Sequence, residues 1–314
     1  MKKFLIISVN AIGDTYLSIC GAYAINNYFP EAKIDFIIRK NSEFLFSGLN
    51  FINEIIIFDN FGQLNELKKE IRVRKYDYCF NYFPGRINTI LNLLSGAIYK
   101  AGYWNFIKLK DWYTINQNIH SNFNKANKFI WLKEYNYLDR INLVFKKSQL
   151  PISVNNKFRY SNFNISQFNF DNYILIHSCS KTSERALSNL HLISLTEYLN
   201  EAFNYDIIFI GSKNDKNYEF LHSIISDKIR LLTDLTIDSL IFLIKKAKLF
   251  LAIDSFPIHL ADAYNTSFIG LFGPTNAKSV LINYSKSIQF GVGSLQYLNS
   301  EEFISAIKRV VNNE

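Results

Sequence analysis

Short apolar runs alternate with segments whose apolar positions recur every three or four residues, and this pattern predicts most of the chain's elements. In the first half it predicts strands at 4–9, 33–38, 54–58 and 76–81, and helices at 15–28, 62–74 and 87–95. Leu64, Leu67 and Ile71 share one face of the second of these helices. Strand–helix alternation of this kind implies parallel βαβ units with right-handed crossovers. From about 105 to 165 the pattern weakens, and polar, Asn-rich runs at 116–127 and 155–172 surround one helical stretch near 128–146. Beyond them the alternation restarts. Strands are predicted at 173–177, 206–210, 229–232, 249–253 and 267–272, and helices at 190–203, 218–225, 238–247, 258–264 and 301–311.

A chain of 314 residues is long for a single core and comfortable as two domains. The weak region predicts a first domain over 1–163 and a second over 164–314, with the last helix able to cross back onto the first. The expected fold class is α/β, two Rossmann-like parallel sheets facing a central cleft.

The most informative stretch is Asp254-Ser255-Phe256-Pro257-Ile258-His259-Leu260-Ala261-Asp262-Ala263, followed by Gly270-Leu271-Phe272-Gly273-Pro274-Thr275. It reads as a strand end, a helix start capped by Ser255, a second strand and a glycine turn. Pro257 suits a first helical turn, where backbone N–H groups lack helical partners. Such groups and the positive end of the helix dipole favour an anion, at the strand edge where open α/β sheets bind ligands. Early in the chain, Asn10-Ala11-Ile12-Gly13-Asp14 follows the first strand and sets a carboxylate at the same kind of edge.

These motifs resemble the ADP-heptose:lipopolysaccharide heptosyltransferases, inverting glycosyltransferases of the two-domain GT-B fold (glycosyltransferase family 9). Tyr76-Asp77 with Gly85-Arg86, Ile176-His177 with Arg185, Ile210-Gly211 and Leu232-Thr233-Asp234-Leu235-Thr236 fall in the family's order, so the resemblance spans roughly residues 4–282. It implies that Asp14, beside Gly13, is the catalytic base that takes the proton of the attacking acceptor hydroxyl. One carboxylate and a diphosphate leaving group imply a single displacement with inversion. The resemblance places the donor on Ser180, Lys181 and Arg185, on Gly211 and Asp215 near the ribose, on Asp254, Ser255, Phe256 and His259, and on Gly273, Pro274 and Thr275. Arg185 takes the position of the family's phosphate-binding lysine, with Lys181 as the fallback. Arg86 matches a basic position on the acceptor side.

The chain also departs from the family. Phe256 stands where a glycine is usual, Ser8 and Asn10 replace an arginine and a serine, and the Trp-Pro pair after the phosphate lysine is missing. A different nucleotide sugar with a protein or capsule acceptor, or an inactive sugar-nucleotide-binding homologue, are the alternatives. No Asp-x-Asp pair is present, so no metal is expected. Gly291-Val292-Gly293 lacks the βαβ context of a dinucleotide fingerprint.

Charge sharpens the picture on the acceptor side. Residues 1–160 hold 22 Lys and Arg against 12 Asp and Glu, whereas residues 161–314 hold 13 against 15. Eleven basic residues between 100 and 160, interleaved with aromatics, predict a face for an anionic glycolipid acceptor and for the inner-membrane surface rather than for nucleic acid. The run at 4–9 is too short for a signal-peptide core, and the three cysteines lack metal-ligand spacing. A cytoplasmic protein, peripheral on the inner membrane, is expected.

Overall fold

The computed structural model describes residues 1–104, 112–117, 129–131, 135–161, 168–180 and 182–311. The chain divides into two compact units, Met1–Phe158 and Arg159–Glu314. The first contains β1 (Lys3–Ser8), α1 (Ile12–Tyr28), β2 (Lys33–Ile38), β3 (Glu54–Ile57), α2 (Leu64–Val73), β4 (Tyr78–Asn81) and α3 (Arg86–Leu94). Strands β5 (Tyr99–Trp104), β6 (Trp112–Gln117) and β7 (Phe129–Trp131) and helix α4 (Tyr137–Lys147) complete it.

Its sheet runs β3-β2-β1-β4-β5-β6-β7. The first five strands are parallel, and β6 and β7 extend the edge antiparallel. Strand order reverses between β1 and β4, so the loops leaving those strands diverge there. A crevice for ligands opens at such a switch point. Strands buried on both faces need continuous apolar runs. In β1 and β2 every residue after the first lysine is buried. Below the sheet Leu5, Ile7, Ile37 and Cys79 pack with Leu67, Ile71 and Leu91. The other face is aromatic, with Phe80 and Tyr82 set edge-on to Phe145 of α4.

The second unit contains β8 (Tyr173–His177), α5 (Asn189–Ala202), β9 (Asp206–Gly211), α6 (Tyr218–Ser223), β10 (Ile229–Thr233), α7 (Ile237–Lys246) and β11 (Leu249–Ile253). It continues with α8 (Phe256–Tyr264), β12 (Phe268–Phe272), α9 (Ala277–Val280), β13 (Ser287–Gln289) and α10 (Ser300–Val311). All six strands are parallel in the order β10-β9-β8-β11-β12-β13. Its first five strands repeat the order of the first unit's parallel strands, with the switch point between β8 and β11. Helix α10, which the sequence allowed to cross to the first unit, packs along α5 and places Phe303 and Ile307 in the second unit's core.

The structure adds strands that periodicity did not predict. β5 lies just before the stretch where the pattern weakens, β6 and β7 lie within it, and α4 begins at Tyr137 rather than near 128. Antiparallel strands at a sheet edge need not carry the continuous apolar run that a parallel strand covered on both faces requires. Helix α4 starts where Asn136 accepts from the Asp139 N–H and Asp139 accepts from the Asn136 N–H, a reciprocal capping box.

The basic face expected between 100 and 160 is also revised. Lys100 and Lys157 are buried, and Arg140 lies over the Tyr137 ring at 4.6 Å. Lys108, Lys110, Lys125, Lys128 and Lys133 lie outside the described residues. Two of the eleven cations therefore cannot meet an external polyanion. No helix among the described residues is long and apolar enough to cross a membrane.

Candidate active site

Both switch points carry the residues singled out in the sequence. In the first unit the chain leaves β1 through Val9 and Asn10, and α1 begins at Ile12 with Ala11 as its N-cap. Gly13 and Asp14 therefore lie inside the first turn, and Asp14 is not the cap. Gly13 has no positive φ, so a special turn is not its reason for being there. A carboxylate one turn into a helix is favoured by the dipole, which keeps Asp14 at the strand edge.

Asn10 fixes it there. Its amide donates to Asp14 Oδ2 at 3.3 Å and to the Pro84 carbonyl at 3.2 Å. Asn88 donates to Asn10 Oδ1 at 2.5 Å and accepts from the Val9 N–H at 3.0 Å. The β1 and β4 loops are thus cross-linked by two amide side chains. Gly85, the N-cap of α3, permits the close approach, because a Cβ there would stand 3.2 Å from Asn10 Oδ1. Arg86 follows, exposed at the start of α3. Asn88 was not foreseen as a site residue. Its signal was a polar residue with Asn92, four apart on the inward face of α3, where apolar side chains are the rule.

In the second unit the expected sites gather at the ends of β8 and β11. Ser255 is the N-cap of α8, yet its side chain makes no cap bond. Instead Ser255 Oγ and His177 Nδ1 share a hydrogen bond of 2.9 Å. Phe256 takes the first helical position without a positive φ, so a side chain in place of the usual glycine brings no backbone strain. Arg185 ends the short turn Ser183–Arg185, and its Nη1 lies 3.0 Å from Asp254 Oδ2. Asp254 is 4% exposed in its side chain and Arg185 33%, so a buried carboxylate holds a cation that still reaches solvent. Ser180 accepts from the Thr182 N–H at 3.2 Å. Lys181 lies outside the described residues.

The other expected contacts are used within the protein. Asp215 Oδ2 accepts from the Ser212 N–H at 2.7 Å and would lie only 2.7 Å from a Cβ on Gly211, so it closes the loop after β9. His259 is buried in α8 and engaged with its surroundings. The 273–275 loop is held by Gln289 of β13, a second residue that the sequence did not single out. Gln289 Nε2 donates to the Gly273 carbonyl at 3.1 Å, and its Oε1 accepts from the Ala277 N–H at 3.1 Å. From beneath, Leu295 packs so closely that a Cβ on Gly273 would meet its Cγ at 2.9 Å. Burial pushes the Cys179 thiol up to about 11, so it stays protonated and is no nucleophile at neutral pH. Among the described residues no group of three His, Cys, Asp or Glu side chains could hold a metal ion.

Burial also lowers His177 to about 4. The unfolded chain then binds a proton below about pH 6.5 that the folded chain refuses, so stability falls as pH drops from 6.5 towards 4. His177 keeps some surface at its strand end, and the cost is about 2 kcal/mol. His177→Asn should flatten that part of the urea-midpoint profile. A variant that follows the wild-type profile would place the titration elsewhere.

The model of glycosyltransferase family 9 (heptosyltransferase) matches residues 65–303, more than half of the chain. The chain belongs to glycosyltransferase family 9. Solved structures agree in fold. E. coli ADP-heptose lps heptosyltransferase II is 16% identical with a TM-score of 0.69, covering 100% of this chain and 99% of that one. A family 9 glycosyl transferase from Veillonella parvula gives 14% and 0.69, covering 100% and 98%. E. coli heptosyltransferase WaaC, solved with ADP, gives 15% and 0.68, covering 99% and 98%. No curated protein matched. This family 9 glycosyltransferase thus has the GT-B fold, and both of its switch points carry polar residues at the carboxyl ends of parallel strands.

Proposed function

We propose that this family 9 enzyme transfers heptose, or a related sugar, from an ADP-activated donor to a lipopolysaccharide or lipooligosaccharide core, with inversion and without a metal. The observation that carries this reading is the Arg185–Asp254 pair beside the α8 start, at the switch point of the second sheet. A guanidinium positioned by a buried carboxylate matches a diphosphate in shape and charge, and the α8 dipole adds to it. The Ser255 hydroxyl, bonded to His177, does not cap that helix end.

In the proposed reaction an acceptor hydroxyl oxygen attacks the anomeric carbon as the bond to the diphosphate oxygen breaks. Asp14 takes the hydroxyl proton, and ADP leaves with its developing charge met by Arg185. Asn10 keeps the Asp14 carboxylate in place, and Arg86 is the candidate partner for an anionic group on the acceptor. The proposed setting is the cytoplasmic side of the inner membrane, where the remaining exposed cations of the first unit meet the acceptor lipid.

Calorimetric titration with ADP, UDP and GDP tests the donor assignment. ADP should bind at least about tenfold more tightly than the others, a difference of about 1.4 kcal/mol, and EDTA should leave both affinity and transfer unchanged. Preference for UDP or GDP would reassign the donor. Activity lost with EDTA and restored by a divalent ion would overturn the metal-free reading.

A further inference from the structure

Gly291-Val292-Gly293, which serves no dinucleotide, lies between two depressions in the surface of the second unit. One, of about 410 Å³, begins at Gly273 and Pro274 and includes Asn276. The other, of about 330 Å³, is lined by Glu184, Ser294 and Tyr297. Val292 and Gly293 line both, so the two adjoin along these residues as a trough in two parts. Each is at the small end of ligand sites, which run from roughly 300 to 1,000 Å³. At one end the trough meets the 273–275 loop, and at the other the neighbour of Arg185.

Its chemistry selects a class of ligand. Among the described residues lining it, Glu184 carries the only charge, so no cation in that lining attracts a phosphate or carboxylate. A neutral molecule with hydroxyl donors suits Glu184. Tyr297 is 89% exposed, unusual for a large aromatic ring, yet it stands on a fixed turn. Leu295 at the start of the turn Leu295–Tyr297 is buried under Gly273, Ser294 Oγ accepts from the Gln296 N–H, and His191 Nε2 bonds the Leu298 carbonyl at 2.7 Å. An exposed ring carried on a turn held this firmly offers a platform for the C–H face of a saccharide, apolar on one side and hydroxylated at the rim. The glycines keep the floor clear. Gly291 has φ +68°, and a Cβ on Gly293 would meet nothing within 4 Å.

We propose that this trough is a subsite for a pyranose ring, either the donor's sugar or a sugar of the acceptor. It rests on the glycosyltransferase reading above and adds a site to it.

Gly293→Phe fills the trough without backbone strain, since Gly293 has no positive φ, and Tyr297→Ala removes the platform from a solvent-exposed position. Calorimetry with ADP, ADP-heptose and a deacylated core oligosaccharide reads both variants against wild type. ADP affinity should stay within about twofold, while one sugar ligand weakens about tenfold or more. Loss confined to ADP-heptose assigns the donor's sugar, and loss confined to the oligosaccharide assigns the acceptor's. Unchanged affinity for both sugar ligands overturns the proposal, as does an equal loss for ADP or a wild-type protein that binds neither sugar ligand. If wild type fails to bind ADP, the donor assignment fails, while the oligosaccharide arm still decides the trough.

Discussion

Asp14→Asn is expected to lower turnover by about 10²- to 10⁴-fold, the usual contribution of a positioned general base. ADP affinity should hold within about twofold, because the nucleotide is assigned to the second unit. The substitution keeps shape and the Asn10 side of the contact but removes the basicity, so the protein should unfold at nearly the wild-type temperature. Loss of ADP binding instead would mean that Asp14 is not simply the base. Asn10→Ala offers a graded companion, since it removes the Asn10 amide donor from the carboxylate and from the Pro84 carbonyl. Turnover should fall less than with Asp14→Asn, while the acid remains.

Arg185→Ala should weaken ADP by about 10- to 100-fold, equivalent to about 1.5–3 kcal/mol for hydrogen bonds to a charged group. The same change removes the cation beside the buried Asp254 carboxylate. Breaking a fully buried pair costs about 3–5 kcal/mol. Arg185 is one-third exposed, so a smaller loss, about 1–2 kcal/mol, is expected here. The combination with Asp254→Asn separates the two effects. Neutralising the carboxylate should restore the unfolding temperature but not nucleotide affinity. An unchanged ADP Kd in Arg185→Ala would pass the phosphate role to Lys181.

Much of this was legible in the sequence because both sheets are parallel and buried. Runs such as Leu249–Ile253 and Phe268–Phe272 are apolar throughout, and the loops leaving them carry Asp254, Ser255 and Gly273. Position along the chain was enough to place these residues at strand ends. Their partners were not legible. A serine before a helix reads as a cap, and only the fold brings His177, 78 residues earlier, close enough to take its hydroxyl. Asn88 lies as far from Asn10 as His177 does from Ser255, and nothing local marks the pair. Gln289 belongs to a three-residue edge strand too short for any periodicity. Lys100 and Lys157 counted as surface charge until their burial showed otherwise. Contacts between residues distant in sequence, more than element boundaries, are what periodicity fails to carry.

The proposed transfer depends on a single displacement at the sugar's anomeric carbon, assisted by Asp14. The most direct measurement is proton NMR of the anomeric signal in the first product formed from ADP-heptose and a deacylated core acceptor. Inversion is expected, with the product linkage opposite in configuration to the donor and ADP released in equal amount. Retention of the donor's configuration would contradict it.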